Sequence, residues 1–310
     1  MTVRDIPTPT PGPGEALIRL EASGVNFIDV YLREGRYPTQ LPYTLGQEGA
    51  GTIVALGDQT SDSGLKVGEH VTWCSVPGTY AQMAVAPVKK LIRVPEGVTS
   101  QQAAAAMLQG MTAHYLVHST YAIQPGDEVL VHAGAGGVGL LLIQMAKARG
   151  ARVFTTVSDE EKAALASEAG ADEVILYTRE DFAEAVRKRL LGTGLAVIYD
   201  SVGKSTFEKS LTVLRRRGMA VLFGGSSGAV PPFDLIRLSQ LGSLFVTRPT
   251  LNDYTATREE LEARAVAVLN DVARGTLKLR VAHVYQLSDA SNAHRDLEAR
   301  KTTGKLLLIP

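Results

Sequence analysis

Cysteine is almost absent from this sequence: Cys74 is the only one. An intrachain disulfide is therefore excluded, and so is a cysteine-rich zinc site. Net charge is missing as well, since 32 Lys and Arg face 32 Asp and Glu. That balance argues against the basic excess with which nucleic-acid and membrane-surface binders hold polyanions. No apolar run approaches the length of a bilayer span, and the first residues carry no apolar signal segment. A cytoplasmic protein is expected, with no membrane and no nucleic acid among its partners. Aromatic residues are scarce, at 6%, whereas glycine is plentiful at 30 residues, which predicts many tight turns between small regular units. A chain of 310 residues, 45% hydrophobic and 21% charged, is too long for one small core and too apolar to be largely disordered. Two associated domains are expected.

The pattern changes twice along the chain. After an extended proline-rich lead-in over residues 7–14, short strand-like runs punctuated by Gly, Pro and Asp continue to about residue 94. Alanine-rich helical spacing follows over residues 101–120. From Glu128 onward apolar strands alternate with helices. The strands are expected at 129–133, 152–157, 173–177, 196–200, 219–223 and 243–247. Short apolar strands with helical crossovers are what a doubly wound parallel sheet needs, because both of its faces are covered. Beyond residue 252 come a helix over 258–274, a strand near 280–285, a helix and a terminal strand over 305–309. That tail is too small to stand alone and is expected to rejoin the N-terminal β-rich part. The chain thus divides into a discontinuous domain, 1–111 with 253–310, and a dinucleotide-binding domain, 112–252.

Gly134, Gly136 and Gly139 fit the spacing G-x-G-x-x-G, with Gly137 and Val138 between them. The motif follows a predicted strand and opens a predicted helix, the context that distinguishes a Rossmann-type site from a chance glycine run. Its backbone N–H groups and the helix N-terminus suit a pyrophosphate. An NAD enzyme usually ends its second strand on an acid, but here Val157 is followed by Ser158, with Asp159, Glu160 and Glu161 only afterwards. Ser158 and Glu161 also fit a capping box. Lys162 lies one turn beyond, and Tyr177 closes the next strand. Ser158, Lys162 and Tyr177 near the ribose suit a 2′-phosphate, so NADPH is the expected cofactor; a merely solvated Lys162 is the alternative. Phe223, Gly224, Gly225 and Ser226 form the loop after the fifth strand and are expected against the nicotinamide.

Further segments carry a resemblance: residues 24–31, 46–51, 133–139, 199–203, 223–228, 246–249 and 307–310. Together they cover almost the whole chain, which resembles the zinc-free medium-chain dehydrogenases/reductases, in the quinone oxidoreductase (zeta-crystallin-like) branch. Members of that family usually begin with an additional strand and hairpin, whereas this chain opens on the proline segment. The resemblance implies a β-rich, GroES-like catalytic domain beside the Rossmann domain. It places Asn26, Tyr31 and Tyr37 near the nicotinamide and substrate. It also adds cofactor contacts from Tyr115, Val246, Thr247, Arg248 and Arg300. Asn26 is expected to orient the nicotinamide or substrate oxygen. Tyr31 and Tyr37 either shape the pocket or act as half-buried anchors with one wet end.

Zinc-dependent relatives place Cys, His and Cys where this chain has Asn26, Gln47 and Leu108. Two amides and an aliphatic side chain cannot supply three strong zinc ligands, so no metal is expected. His114 and His118, four apart on a helix, lack a third ligand and read as packing or surface residues. Cys74 reads as a small buried hydrophobe, and Arg215, Arg216 and Arg217 as cations at a helix C-terminus. Without a metal, a quinone is the acceptor that needs least electrophilic help, because reduction restores an aromatic ring. NADPH-dependent quinone reduction is the leading expectation. Reduction of α,β-unsaturated ketones or aldehydes is a second, and a non-catalytic RNA-binding or structural member of the fold a third. The apolar edge strand at 243–247 predicts a homodimer.

Overall fold

The computed structural model describes residues 1–310. Its chain forms two compact units, Met1–Met111 with Tyr254–Pro310, and Thr112–Asp253. In chain order the first unit supplies strand β1 (Glu15–Val25), helix α1 (Phe27–Arg33), β2 (Glu48–Leu56), β3 (His70–Cys74), β4 (Met83–Pro87), β5 (Ile92–Arg93) and most of α2 (Ser100–Tyr115). The second unit contains β6 (Glu128–His132), α3 (Gly137–Ala148), β7 (Arg152–Val157), α4 (Glu160–Glu168), β8 (Glu173–Leu176) and α5 (Phe182–Arg189). It continues with β9 (Leu195–Asp200), α6 (Phe207–Leu211), β10 (Leu214–Leu222), α7 (Ile236–Gln240) and β11 (Phe245–Thr247). The chain then returns to the first unit through α8 (Arg258–Ala273), β12 (Val281–Gln286), α9 (Ala290–Glu298) and β13 (Lys305–Ile309).

In the first unit a mostly antiparallel sheet runs in the order β12-β13-β1-β2-β3-β5, with β4 paired to β1. The terminal strand β13 lies antiparallel to β1, setting Gly24 opposite Leu307 and Val25 opposite Leu306. One face buries Ile18, Leu20, Ile53, Val71, Trp73 and Leu91. A second cluster joins Val25, Leu306 and Leu308 to Ala290 and Ala293 of α9. These clusters anchor the end of β1, from which Asn26 and α1 emerge.

In the second unit six parallel strands run β11-β10-β9-β6-β7-β8. Strand order reverses between β6 and β9, the switch point where open parallel sheets take their ligands. Every residue of β6 and β9 is buried, as covered central strands require. Leu130, Phe154, Ile175, Phe182, Val186, Ile198, Phe207 and Leu211 fill the space between one helical layer and the sheet.

Two local expectations are corrected. The helix after β7 is capped by Asp159, whose carboxylate accepts the Lys162 N–H at 2.9 Å, and not by a Ser158–Glu161 box. An ionised carboxylate is the stronger acceptor, and it moves the helix start one residue on. Arg215, Arg216 and Arg217 do not close a helix. The preceding α6 ends at Leu211, and all three lie within β10, in the irregularity between Leu214 and Met219 where the pairing with β9 is interrupted. Arg215 pairs with Asp127 at 3.3 Å and donates to the Tyr121 hydroxyl at 3.0 Å. Arg217 has a left-handed backbone, φ 58°, and its N–H donates to Gly242 O at 2.8 Å.

Candidate functional site

The glycine motif sits where β6 ends and α3 begins. A Cβ at Gly134 would overlap Thr155 Oγ1 on β7, and one at Gly139 would overlap the Ala133 carbonyl. Both positions thus require glycine for a tight turn, and Ala133 itself takes a left-handed φ of 55°. Gly136 caps α3, so Gly137, Val138 and Gly139 form its first turn with N–H groups unpaired within the helix. Below this turn His132 is buried between Thr156 Oγ1 and Ser210 Oγ, each at 2.9 Å, and burial lowers its pKa. This neutral histidine braces the ends of two strands.

At the end of β7 the Lys162 ammonium donates to Ser158 Oγ at 3.0 Å, and the Ser158 hydroxyl donates to Asp159 at 2.7 Å. The structure brings Ser158 and Lys162 together, with the acid occupied as a helix cap. Tyr177, just beyond β8, is 43% exposed, and its N–H donates to Val157 O at 3.1 Å. All three thus cluster at the carboxyl ends of β7 and β8.

The loop after β10 is tied to the turn after β9. Phe223 N–H donates to Asp200 O at 2.9 Å and Ser226 N–H to Ser201 O at 3.1 Å. Asp200, which the sequence did not flag, is buried. It accepts the Val202 and Gly203 N–H groups at 2.7 and 3.0 Å and the Thr206 hydroxyl at 2.7 Å. Beside this loop, Val246 and Thr247 of β11 pair with Ala220 and Val221, and Arg248 donates to Leu222 O at 2.8 Å. Tyr115 is buried at the end of α2, while Arg300 follows α9 in the first unit with a left-handed φ of 58°.

Asn26 is the centre of the first unit's polar constellation. It is buried at the junction of β1 and α1, and three chain segments converge on it. Its Nδ2 donates to Glu48 Oε1 at 2.7 Å and weakly to Gly24 O at 3.4 Å. Its Oδ1 accepts from Lys305 Nζ at 2.9 Å and from Gln109 Nε2 at 3.3 Å. Lys305 also forms an ion pair with Glu48, both ions being buried. The second Glu48 oxygen accepts the Leu108 N–H at 2.6 Å. The resemblance implies that Asn26 orients the nicotinamide or substrate oxygen; in the structure most of its amide is engaged by protein groups. Its main-chain N–H donates to Asp29 Oδ2 at 2.9 Å.

Asp29 has a network of its own. Tyr80 donates to Asp29 Oδ2 at 3.2 Å and lies 3.1 Å from His294 Nε2. Arg33 stands 3.2 Å from His294 Nδ1. Arginine can only donate, so Nδ1 accepts, and the Nε2–H faces the Tyr80 oxygen. Asp29 Oδ1 is buried without a hydrogen bond. Burial pushes the Asp29 carboxyl up to about 7, although its hydrogen bonds and Lys305 oppose the shift. Burial and the nearby Arg33 hold His294 down at about 4.

Tyr31 and Tyr37 pack edge to face, 5.9 Å between ring centroids, with the Arg36 guanidinium 5.1 Å over Tyr31. Gln47 donates to the Tyr43 hydroxyl at 2.7 Å. The rings of His114 and His118 lie 4.2 Å apart, and Arg149 donates to His118 at 2.9 Å. Cys74 is buried on β3, which pushes its thiol up to about 12.

Comparison with known proteins places the chain in a family. Residues 12–96 match the alcohol dehydrogenase GroES-like domain, and residues 137–269 match the zinc-binding dehydrogenase family. A quinone oxidoreductase of Pseudomonas aeruginosa is 44% identical, covering 99% of this chain and 94% of its own. The crystal structure of Escherichia coli quinone oxidoreductase complexed with NADPH superposes with a TM-score of 0.96 at 42% identity, covering 99% of this chain and 95% of that one. A 2-haloacrylate reductase of a Burkholderia species is 41% identical over 97% of this chain and 92% of its own. The chain belongs to the quinone oxidoreductase branch of the medium-chain dehydrogenases/reductases. The family name that includes zinc does not describe the donors found here. Asn26 and Gln47 present amides already bonded within the protein, and Leu108 has no donor atom in its side chain, so the set does not fit zinc.

Proposed function

We propose that this protein is an NADPH-dependent quinone reductase that works without a metal. The observation that carries the reading is the buried network of Glu48 and Lys305 around Asn26, one of the three positions where zinc-dependent relatives keep ligands. With hydrogen bonds alone to polarise a carbonyl, the favoured acceptor is one whose reduction restores aromaticity. Relatives named quinone oxidoreductase, one of them solved with NADPH, support the same chemistry.

Bound NADPH supplies a hydride. In our reading Gly134, Gly136, Gly137, Val138 and Gly139 present backbone N–H groups to the pyrophosphate. Ser158, Lys162 and Tyr177 meet the 2′-phosphate, where a strand-end acid would repel it. Phe223 to Ser226, Val246 to Arg248 and Tyr115 complete the second unit's cofactor site. Tyr31 and Tyr37 shape the acceptor pocket, with Asn26 at its polar end. Water supplies the proton that completes the hydroquinone.

No helix of the structure is long and apolar enough to cross a membrane. We place the activity in the cytoplasm, where a chain with a single buried cysteine needs no oxidising compartment. The active form is a homodimer joined through β11.

A second reading, reduction of an activated alkene, is favoured by the 2-haloacrylate reductase relative. Both are tested by following NADPH and NADH oxidation with 1,4-benzoquinone, 9,10-phenanthrenequinone and a panel of α,β-unsaturated ketones. Rapid turnover of NADPH with the quinones is expected. Turnover confined to the enones would replace the first reading with the second.

A further inference from the structure

We propose that Lys305 and Glu48 are positioning residues for carbonyl reduction: they fix which way the Asn26 amide faces and leave one of its N–H bonds for the acceptor oxygen. The proposal rests on the quinone reductase reading above and deepens it.

The two ends of an asparagine amide are nearly the same size, and hydrogen bonding decides between its orientations. An ammonium can only donate and a carboxylate can only accept. Lys305 therefore requires Asn26 Oδ1 on its side, and Glu48 requires Nδ2 on the other. Gln109 adds a second donor to Oδ1. After these bonds one amide hydrogen remains, held only by the 3.4 Å contact to Gly24 O. That contact is the weakest in the set and the one an incoming carbonyl oxygen can displace.

The pair is built for this place. Lys305 and Glu48 are 2% and 0% exposed, a costly location for ions unless each has its partners. Gly24 makes room, since a Cβ there would overlap the Glu48 carboxyl group. Glu48 also holds the Leu108 N–H, so the first and third of the positions lost to zinc are tied to the same carboxylate. The Lys305 charge on Oδ1 draws density from the amide and makes its N–H a better donor.

In the reaction the quinone accepts a hydride, that is, two electrons with one hydrogen, and negative charge appears on its oxygen. The Asn26 N–H meets that charge until a proton from water gives the hydroquinone. An N–H aimed where charge develops is worth far more to the transition state than to the ground state.

A double-mutant cycle tests the assignment. Lys305→Met, Asn26→Ala and their combination are assayed with 9,10-phenanthrenequinone at saturating NADPH, alongside thermal unfolding. Lys305→Met is expected to lower kcat about tenfold or more, as for loss of an aligned donor, with a smaller change in KM. In the Asn26→Ala background the same substitution should change kcat less than about twofold, yet lower Tm as before. A structural ion pair would lower Tm but give the same kcat loss in both backgrounds, or none, and either result overturns the proposal. If Lys305→Met does not fold, the neutral pair Glu48→Gln with Lys305→Met takes its place in the cycle, under the same criteria. A wild-type enzyme inactive on every quinone would overturn the substrate reading and this proposal with it. Normal quinone turnover with an uncoupled cycle would overturn the positioning role alone.

Discussion

Buried titratable groups set the residue-scale behaviour, and two of them act against each other. Asp29 holds its proton up to about pH 7 in the folded chain but only to about the ordinary aspartate value of 3.8 when unfolded. Between those values the native state binds the extra proton, so this group makes stability fall as pH rises. His294 stays neutral down to about 4 when folded, against 6.5 unfolded. There the unfolded state binds the extra proton, and stability rises with pH over nearly the same window. The two slopes largely cancel in the native protein. Asp29→Asn should unmask the histidine, giving a Tm that climbs from pH 4 to 6.5, while His294→Gln should give a Tm that declines from pH 4 to 7. The groups facing them, Tyr80, Arg33, Glu298, Glu48 and Lys305, are unchanged in both variants. Parallel curves for the two variants would refute the assignment. Lys162 is the other single residue on which much depends. Removing its ammonium with Lys162→Ala should weaken NADPH by about 1.5–3 kcal/mol, the worth of a charge-assisted contact, and leave NADH nearly unchanged. Fluorescence titration with both cofactors measures this, and equal losses for the two would exclude contact with the 2′-phosphate.

Elements decide how much of this could be read in advance. The strand–helix alternation was most legible at the central strands, which are buried on both faces and read as short apolar runs, such as Val129 to Val131 and Val197 to Tyr199. The turn after β6 was legible from its glycines and its place between strand and helix. Arg215 to Arg217 misled because a run of cations resembles a helix end, whereas their partners Asp127, Tyr121 and Gly242 are distant in sequence and the break in the β10–β9 ladder that holds them is a tertiary fact. The Asn26 network was hidden for a similar reason: Asn26, Glu48 and Lys305 come from three distant segments. A lysine heading the otherwise apolar strand β13 was its only trace in the sequence. The loop after β10 offers a test at this scale. A Cβ at Gly225 would meet nothing nearer than Gly228 O at 3.5 Å, but one at Gly224 would press on the Ser201 backbone at 2.6 Å. Gly224→Ala should thus cost about 1–3 kcal/mol of stability through overpacking. Gly225→Val should fold with nearly native Tm yet lose cofactor affinity and turnover. Normal NADPH binding by Gly225→Val would remove this loop from the site.

At the scale of the whole molecule one edge of the parallel sheet is left open. Strand β11 pairs with β10 alone, and its Phe245 and Val246 are 56% and 39% exposed. Leu235 and Ile236, at the start of α7, are also exposed. The opposite edge, β8, is instead followed by Tyr177 and the charged segment at Arg179 and Glu180. A short apolar edge with unpaired N–H and C=O groups invites another strand, and a two-fold copy of β11 satisfies both edges at once. The pairing would extend the sheet across both subunits, and the aromatic ring of Phe245 would be covered. Replacing that ring by a charge places a like pair near the axis, where each copy meets the other. Light scattering at about 10 μM, a concentration at which an interface of ordinary affinity is filled, should give a dimer mass for the native protein and a monomer mass for Phe245→Glu. Circular dichroism should be the same for both, because Phe245 contributes little to the core of its own subunit. A native protein of monomer mass at that concentration would show that the edge is protected in some other way.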